Sequence, residues 1–381
     1  MKIILLIYCT IIEIISSSII PISFEFIDGE MTIQIQQSKN IIPCRIVTSI
    51  PKNFIPENFN LNSKTKRKYD YKDPSIGFFD QLEGKKSQVM LYDDWFFIND
   101  IEFIMKYYVD PKIKKCIISF SKEQSEDESL INKLYINKKI NANGFGIKFD
   151  DKNETKGMIY LGGLPEEEKK GLYSFSYKYS FFNYHNIWSL PMEDASIKIK
   201  ENTFSIELYC EGHIELERED ILLVPPIFYE FLYDKIFGFY IKEKSCDFEN
   251  NNLVCDCKEL KNINSFKSIY LNVAGLRMEF NIRDSFIKKN DKCYFIFKKH
   301  ENNFFIFGKN LLKKYKIEFL NNKQINLYSK NKLTFKKNIS LNEGIITIKE
   351  SVLKYPIISF IFTIILIACF SGAFDIKKIF I

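Results

Sequence analysis

The chain is poor in the residues from which catalytic centres are most often assembled. Its 381 residues include 15 glycines, 11 prolines and 3 histidines. A metal centre or a histidine-based nucleophile site is therefore hard to build. The sequence contains no Gly-x-Ser-x-Gly, no phosphate-binding loop and no His-Glu-x-x-His pattern, so these common enzyme motifs are missing. We predict no cofactor and no metal.

The charge balance argues against nucleic acid as a partner. The chain has 54 Lys and Arg against 48 Asp and Glu, a net charge of +6, and its lysines are spread without a dense basic block. A hydrophobic fraction of 46% excludes a wholly disordered chain. The length allows either two domains or one large two-lobed body.

The amino terminus has the order of a secretory signal. One lysine, Lys2, precedes an apolar run over residues 3–12, and small residues follow at 16–18. Glu13 is a charge inside the apolar region, and a buried strand or helix is the alternative. We predict a signal peptide over residues 1–20.

A second apolar segment lies at the carboxyl end. Residues 357–374 carry no charge, and about 18 apolar residues is the lower limit for a membrane-spanning helix. Lys377 and Lys378 follow, as expected for the cytosolic side. A buried core helix and a lipid-anchor signal are the alternatives. We predict a stalk over 336–355, a transmembrane helix over 356–374 and a cytosolic tail over 375–381, giving a single-pass type I protein of the secretory pathway.

Cysteine usage agrees with an oxidising compartment. Without Cys9 and Cys369 in the two apolar ends, an odd number remains, so most should pair and one should be left over. A zinc site at 255–257 is disfavoured because the spacing is too short. Asn153 and Asn338 begin glycosylation sequons. The body cysteines are Cys44, Cys116, Cys210, Cys246, Cys255, Cys257 and Cys293.

The body between the two ends is predicted to be mainly β. Most apolar runs are four to eight residues long, β-branched or aromatic, and bounded by Asn, Lys or Gly. Short helices are predicted over 126–135, 226–237 and 309–315, and a linker over 173–186. The predicted strands include residues 31–35, 88–92, 95–98, 116–120, 158–161, 197–199, 205–208, 268–272, 278–282, 293–297 and 304–307.

The middle of the body carries a more specific pattern. An apolar strand over 157–161 ends in the pair Gly162-Gly163. Residues 171–175, Gly-Leu-Tyr-Ser-Phe, and then 187–190, Ile-Trp-Ser-Leu, follow it. This order resembles the middle of pepsin-like aspartic proteases (peptidase A1). There, a "Gly-x-Leu-x-aromatic" strand follows a Gly-Gly turn, and a Trp-containing strand enters the second lobe.

Further segments fall into register with that family. Residues 46–56 resemble the first catalytic segment, with Phe54 and Pro56 where the family has Trp and Pro, and residues 113–120 resemble the strand that crosses behind it. Residues 216–226 resemble the second catalytic segment, and 304–327 the carboxyl-terminal stretch. The resemblance spans about residues 30–330. It implies a bilobal pepsin-like double-lobe β fold, with an amino-terminal lobe over 21–175 and a carboxyl-terminal lobe over 176–335.

The chemistry of the family is missing from this chain. An aspartic protease needs two carboxylates about 3 Å apart that share one proton. Val47 matches the first Asp, followed by Thr48 and Ser49 in place of Thr and Gly. The second motif is Glu217-Arg218-Glu219, in which a longer acid replaces Asp and a bulky charge replaces a small Thr. The body contains no Asp-Thr-Gly and no Asp-Ser-Gly.

Two further family positions follow from the resemblance. The glycine after the crossing strand is kept in the second lobe as Gly308, whereas Ser119 occupies that place in the first. The flap residues would be Leu82 and Gly84.

The resemblance also implies disulfide pairings. Cys257–Cys293, or Cys255–Cys293, would be the second-lobe bridge. Cys44–Cys116 would lie behind the lost catalytic position. Cys210 and Cys246 are then left to pair with each other or with Cys255.

The sequence therefore predicts a catalytically inactive aspartic-protease homologue whose interlobe cleft binds an extended peptide or a protein partner. One alternative is an active endopeptidase with an atypical site. A second is an unrelated cysteine-bridged β receptor or adhesin. A nucleophile built from Cys210 and His213 is a less favoured possibility than a paired Cys210.

Overall fold

The structure is a computed structural model, and it divides the chain into a compact unit of residues 1–333 and a second unit of residues 334–381. In the second unit only residues 334–335 belong to the described part. Residues 1–18 of the predicted signal peptide, the transmembrane segment and Asn338 lie outside it, whereas Ile20, the last residue of the predicted signal, is the first residue of a strand that pairs with Leu161. None of the helices in the described part is long and apolar enough to span a membrane. The described residues are 19–37, 39–56, 59, 67–69, 90–99, 101–110, 113–122, 129–153, 155–179, 187–199, 201–217, 222–242, 245–249, 252–260, 266–281, 285–309, 314–320 and 323–335.

The described part is built mainly of β-strands, as predicted. Its helices are short: α1 Leu130–Ile136, α2 Glu166–Lys169, α3 Pro226–Leu232, a π-helical turn Tyr233–Phe237, α4 Gly238–Lys242 and α5 Cys257–Leu260. The strands are β1 Ile20–Ile27, β2 Glu30–Gln37, β3 Asn40–Val47, β4 Arg67–Tyr69, β5 Met90–Ile98, β6 Ile101–Val109, β7 Cys116–Ser119, β8 Gly144–Phe149, β9 Lys156–Leu161, β10 Tyr173–Lys178, β11 Ser189–Ile199, β12 Asn202–Ile214, β13 Leu222–Val224, β14 Cys246–Glu249, β15 Asn252–Asp256, β16 Phe266–Val273, β17 Leu276–Asn281, β18 Phe286–Lys289, β19 Lys292–Phe295, β20 Phe297–Lys299, β21 Phe304–Phe307, β22 Lys316–Leu320, β23 Gln324–Ser329 and β24 Thr334–Phe335.

Three sheets organise residues 1–333. The largest runs in the order β10-β23-β22-β8-β9-β1-β2-β3-β7, and β4, β5 and β6 join it where β5 pairs with β2. The second runs β20-β13-β21-β12-β11-β16-β17, and the third β14-β15-β19-β18. Period-two patterning explains the burial of their strands. In β1, for example, Ile20, Ile22 and Phe24 are buried and the residues between them are exposed.

The sheet topology corrects the predicted linker. Residues 173–178 form strand β10, which pairs antiparallel with β23 from Tyr173↔Ser329 to Lys178↔Gln324. The boundary predicted at 175/176 falls inside this strand. Strands β22 and β23, from the carboxyl-terminal stretch, also belong to the first sheet. A division in chain order misses this because strand pairing joins segments that are far apart in sequence.

The first predicted helix begins later than expected. Helix α1 starts at Leu130 because the Ser129 side chain accepts a hydrogen bond from the Asn132 amide at 3.2 Å, which caps the first turn. The second predicted helix is confirmed and extends to Lys242, with the π-helical turn in its middle.

Aromatic packing joins the two strand-rich halves. Trp188, which precedes β11, is buried and donates from its indole nitrogen to the Phe120 carbonyl at the end of β7, at 3.0 Å. Its ring lies 4.8 Å from that of Phe319 and 6.3 Å from that of Phe145, between ring centroids. A single tryptophan thus anchors the start of the second half to the first sheet.

The Gly-Gly turn after β9 has a specific packing reason. Gly163 has φ +101°, and a Cβ there would lie 2.8 Å from the Glu318 carboxylate. That carboxylate is buried and accepts from the Leu164 amide at 2.8 Å, from Asn326 at 2.7 Å and from the Tyr328 hydroxyl at 2.9 Å. Glycine is needed here because the turn runs directly against a buried charge.

A second carboxylate joins α2 to the sheet. Glu168 lies 2.7 Å from the Lys148 ammonium and 2.6 Å from that of Lys316, and its side chain is 16% exposed. Burial alone would raise its pKa, but hydrogen bonds and charges from the two lysines outweigh burial and lower the pKa from 4.5 to about 2. The ion pairs therefore favour the folded state while Glu168 is ionised.

We predict that Glu168→Gln lowers the free energy of unfolding by about 1–2 kcal/mol at neutral pH, since two charge-assisted hydrogen bonds are weakened. Because the folded-state pKa is depressed, this contribution is present above the unfolded pKa of about 4.5 and is lost as the pH falls towards about 2. Urea unfolding across that pH range measures it.

The matched control is Glu166→Gln. The Glu166 side chain is 90% exposed and pairs only with Lys169, at 3.2 Å. We expect a change within about 0.5 kcal/mol. Equal losses in the two variants would contradict the role of Glu168.

Candidate active site

The first-lobe loop begins where β3 meets the crossing strand β7. The two strands are parallel and in register from Cys44↔Cys116 to Val47↔Ser119. Cys44 and Cys116 form a disulfide with Cα atoms 4.4 Å apart, the pairing that the resemblance implies. The Phe120 amide donates to the Val47 carbonyl at 2.7 Å. The position that matches the first catalytic Asp is therefore fixed at the end of a bridged strand pair.

Side chains on the following loop hold that strand pair in place. The Asn53 side chain accepts from the Ser119 amide at 2.9 Å and donates to the Lys106 carbonyl at 3.1 Å. Phe54 exchanges two backbone hydrogen bonds with Ile117, both 2.8 Å. The Ser119 hydroxyl donates to the Ile50 carbonyl. Serine is thus accommodated where the family has glycine.

The position of the first catalytic Asp is apolar. Val47 is fully buried and belongs to a small cluster with Phe54, Leu91, Tyr108 and Ile117. A carboxylate there would be surrounded by hydrocarbon and aromatic rings. The surroundings of residue 47 therefore suit Val rather than the Asp that the resemblance expects there.

The second-lobe segment is built in a similar way. β12 runs parallel to β21, ending with Ile214↔Phe307, and the Glu215 amide donates to the Phe307 carbonyl at 2.9 Å. Gly308 follows that strand. Leu216 and Glu217 come next and are buried. Arg218 and Glu219 lie outside the described residues.

The Thr48 hydroxyl ties the two segments together. It accepts a hydrogen bond from the Leu216 amide at 3.1 Å and lies 2.9 Å from the Ile214 carbonyl and 3.2 Å from one Glu217 oxygen. A hydroxyl has one proton, so it donates to one of these two acceptors at a time. Sequence reasoning retained Thr48 as a family position but could not supply these partners, which are more than 160 residues away in the chain.

The Glu217 carboxylate crosses from the second segment to the first. One oxygen accepts from the Thr48 amide at 3.1 Å, and the other from the Ser49 amide at 3.2 Å and from the Ser49 hydroxyl. The extra methylene of Glu relative to Asp adds about 1.5 Å of reach. Glu217, which the resemblance matches to the second catalytic Asp, thus accepts hydrogen bonds from the first loop. The residue is 8% exposed.

The remaining cysteines pair apart from this centre. Cys246 bonds to Cys255, and Cys257 bonds to Cys293. The second bridge is the first of the two options that the resemblance leaves open.

Cys210 carries a free thiol, and burial, reinforced by the charge of Glu211, raises the pKa of this thiol to about 11. On β12, Cys210 and His213 are three residues apart, so strand alternation places them on opposite faces. They do not form a nucleophile–base pair. The described part of the chain also holds no cluster of three or more His, Cys, Asp or Glu suited to a metal.

The predicted flap residues lie between strands β4 and β5 in the chain. Strands β4 and β5 pair from Arg67↔Asp93 to Tyr69↔Leu91. Leu82 and Gly84 fall between these strands and lie outside the described residues. The flap assignment stays a prediction.

The comparison with protein families matches this architecture. The sequence model of the eukaryotic aspartyl protease family matches residues 117–329, more than half of the chain. This chain belongs to the eukaryotic aspartyl protease family. The matched range begins after residues 46–56 and includes the second catalytic segment. No curated protein matches the chain. An unrelated β receptor or adhesin is thereby set aside, and three disulfides in a domain of this family indicate a secreted or lumenal body.

We predict that Thr48→Val lowers the free energy of unfolding by about 2 kcal/mol, because the buried Leu216 amide loses its acceptor in a side chain of nearly the same shape. Chemical denaturation measures the loss.

Thr32→Val is the control. The Thr32 hydroxyl is part-buried and donates only to the nearby Glu30 carbonyl, at 3.1 Å. A change below about 0.5 kcal/mol is expected for it. If both variants lose the same stability, Thr48 is not the link between the segments.

Proposed function

We propose that this chain is a membrane-anchored, aspartic-protease-like protein without peptidase activity, whose interlobe cleft binds an extended peptide or a protein partner. One observation carries the proposal. Glu217, the acid that matches the second catalytic Asp, accepts the amides of Thr48 and Ser49, while the buried Val47 side chain occupies the place of the first.

We infer the absence of peptidase activity from the groups that peptide hydrolysis requires. Peptide hydrolysis in this family requires two carboxylates that share a proton, so that one activates water while the other protonates the carbonyl. Val47 can neither ionise nor hold the water. Both oxygens of Glu217 accept hydrogen bonds from donors of the first loop, so the carboxylate is engaged in contacts within the fold.

Peptide binding needs less than catalysis does. An extended chain is recognised through backbone hydrogen bonds and side-chain pockets, which do not depend on a catalytic pair. The links from Thr48 to Leu216 and from Asn53 to Ser119 keep both catalytic segments in place. Family membership supports the cleft as the binding surface.

The cellular location is proposed from the sequence and the disulfides together. The predicted signal peptide over 1–20 and membrane helix over 356–374 would leave the body on the lumenal or extracellular side. Three disulfides are consistent with that side. Asn153 and Thr155 of the first sequon are exposed in the turn between β8 and β9.

We expect the full-length protein in detergent micelles to bind peptides without cutting them. It is incubated with a mixture of peptides about ten residues long at values from about pH 3 to 7, and bound peptides are separated by size exclusion and identified by mass spectrometry. Intact peptides in the protein fraction support both halves of the proposal. Cleavage that a transition-state inhibitor of the pepsin class abolishes would show an active peptidase, and no retained peptide would refute binding.

Val47→Asp is the informative variant in the same assay. We expect no gain of cleavage, because the new carboxylate enters an apolar cluster and Glu217 stays engaged with the first loop. A loss of about 2–3 kcal/mol of stability is expected from the buried acid. Val47→Ala, which adds no charge, is the control for the change in volume.

The topology predicts a glycan on Asn153. Expression in a secretory eukaryotic host should give a protein whose mass falls after glycosidase treatment, because the sequon is exposed and lumenal. Asn153→Gln should remove that part of the mass shift, and the glycan at the other sequon, Asn338, provides an internal control. A fully unglycosylated chain would argue against a lumenal body.

A further inference from the structure

Three cysteines lie in the small third sheet, and Cys257 follows directly after its strand β15. Cys246 on β14 is the register partner of Cys255 on β15, and Cys255 is in turn the partner of Cys293 on β19. Disulfides join Cys246 to Cys255 and Cys257 to Cys293, with Cα separations of 4.0 and 5.2 Å. Three of the sulfurs therefore come from one row of residues on the same face of the sheet.

The row places opposite each other two cysteines that are not bonded to one another. Cys255 and Cys293 are directly cross-strand in an antiparallel pair, yet each is bonded elsewhere. Opposite residues in an antiparallel pair have Cα atoms about 4.5–5.5 Å apart. A disulfide tolerates Cα separations up to about 7 Å. A Cys255–Cys293 bond is therefore available with the two strands in their present register.

Accessibility differs among the four sulfurs. Cys246, Cys255 and Cys293 are 4%, 2% and 8% exposed, whereas Cys257 is more open to solvent. An external thiolate therefore reaches the sulfur of Cys257 first, and the leaving group of that attack is Cys293.

The charge beside Cys293 favours its departure. Lys288 on β18 is the register partner of Cys293 and is exposed. A cross-strand ammonium stabilises a neighbouring thiolate, and a more stable thiolate leaves faster in disulfide exchange.

We propose that these cysteines form a thiol-exchange site that takes a dithiol reductant and passes the exchange from Cys257 through Cys293 to Cys255. The reductant's thiolate attacks the sulfur of Cys257 and breaks the bond to Cys293. The Cys293 thiolate attacks the sulfur of Cys255, forms Cys255–Cys293 and releases Cys246 as a thiolate, which takes up a proton. The second thiol of the reductant resolves the mixed disulfide, leaves Cys257 as a thiol and departs as a disulfide.

The exchange would free one strand of the sheet. The Cys246–Cys255 bond joins β14 to β15, and Phe248 of β14 stacks on Tyr233 with ring centroids 6.5 Å apart. Tyr233 begins the π-helical turn between α3 and α4. Reduction thus loosens the contact between β14 and this helical segment while β15 and β19 stay bridged.

The test is limited reduction of the full-length protein with a dithiol, here dithiothreitol, followed by alkylation and peptide mapping. Proteases that cut after Glu249 and before Asp256 separate the three neighbouring cysteines. We expect alkylated Cys246 and Cys257 with a Cys255–Cys293 bridge as the main first product. Alkylation of Cys257 and Cys293 with Cys246–Cys255 intact would overturn the proposal, as would loss of Cys44–Cys116 at the same step.

A variant pair gives a second readout. Cys246→Ser leaves a thiol at Cys255, and we expect part of this protein to contain Cys255–Cys293 with a free Cys257. Cys116→Ser is the matched control, since it leaves a thiol at Cys44. In the described part of the chain, no second disulfide lies beside Cys44 on the strands with which it pairs. Disulfide exchange in Cys116→Ser, or a free thiol found only at Cys255 in Cys246→Ser, would contradict the proposed thiol exchange. The wild-type experiment stands if either variant fails to fold.

Discussion

The carboxylate of Glu217 and the hydroxyl of Thr48 accept the hydrogen bonds that link the two segments at the centre of this protein. The carboxylate accepts two backbone amides of the first-lobe loop, and the hydroxyl accepts an amide of the second. The Thr48 and Leu216 amides are buried, so each would lose its partner without gaining water if these hydrogen bonds were broken. In an active member of the family, carboxylates at this centre activate water. Here Glu217 accepts hydrogen bonds that link the two segments.

The surroundings of Val47 suit its apolar side chain. Val47 packs among apolar side chains, and the Ser119 hydroxyl donates to the Ile50 carbonyl and accepts from the Ser121 amide, where the resemblance expects a glycine. Asn53 satisfies the amide of Ser119 and a carbonyl of the neighbouring strand. The polar groups of this centre thus satisfy one another, and buried polar groups that are paired in this way are compatible with a stable fold.

Much of the architecture could be predicted from local pattern. Short β-branched and aromatic runs predicted the strands, and the Gly162-Gly163 pair predicted the turn after β9, where both glycines have positive φ. The pairing of Cys44 with Cys116 followed from the resemblance. Pattern could not predict the membership of β10, β22 and β23 in the first sheet, because it depends on pairing between distant segments. Nor could it predict that Cys210 is the unpaired thiol, since several pairings were compatible with the sequence.

The sequence by itself determined the strand-rich class, the likeness to pepsin-like aspartic proteases and the presence of Val at residue 47, where the resemblance expects Asp. Each of these depends on which residues are present and in what order. Only the tertiary structure decided what Glu217 does. A glutamate in a catalytic motif could be an acid, a base or an acceptor, and the choice depends on donors that lie about 170 residues earlier in the chain. The fold brings those donors within hydrogen-bond distance, and distance decides the role of the carboxylate.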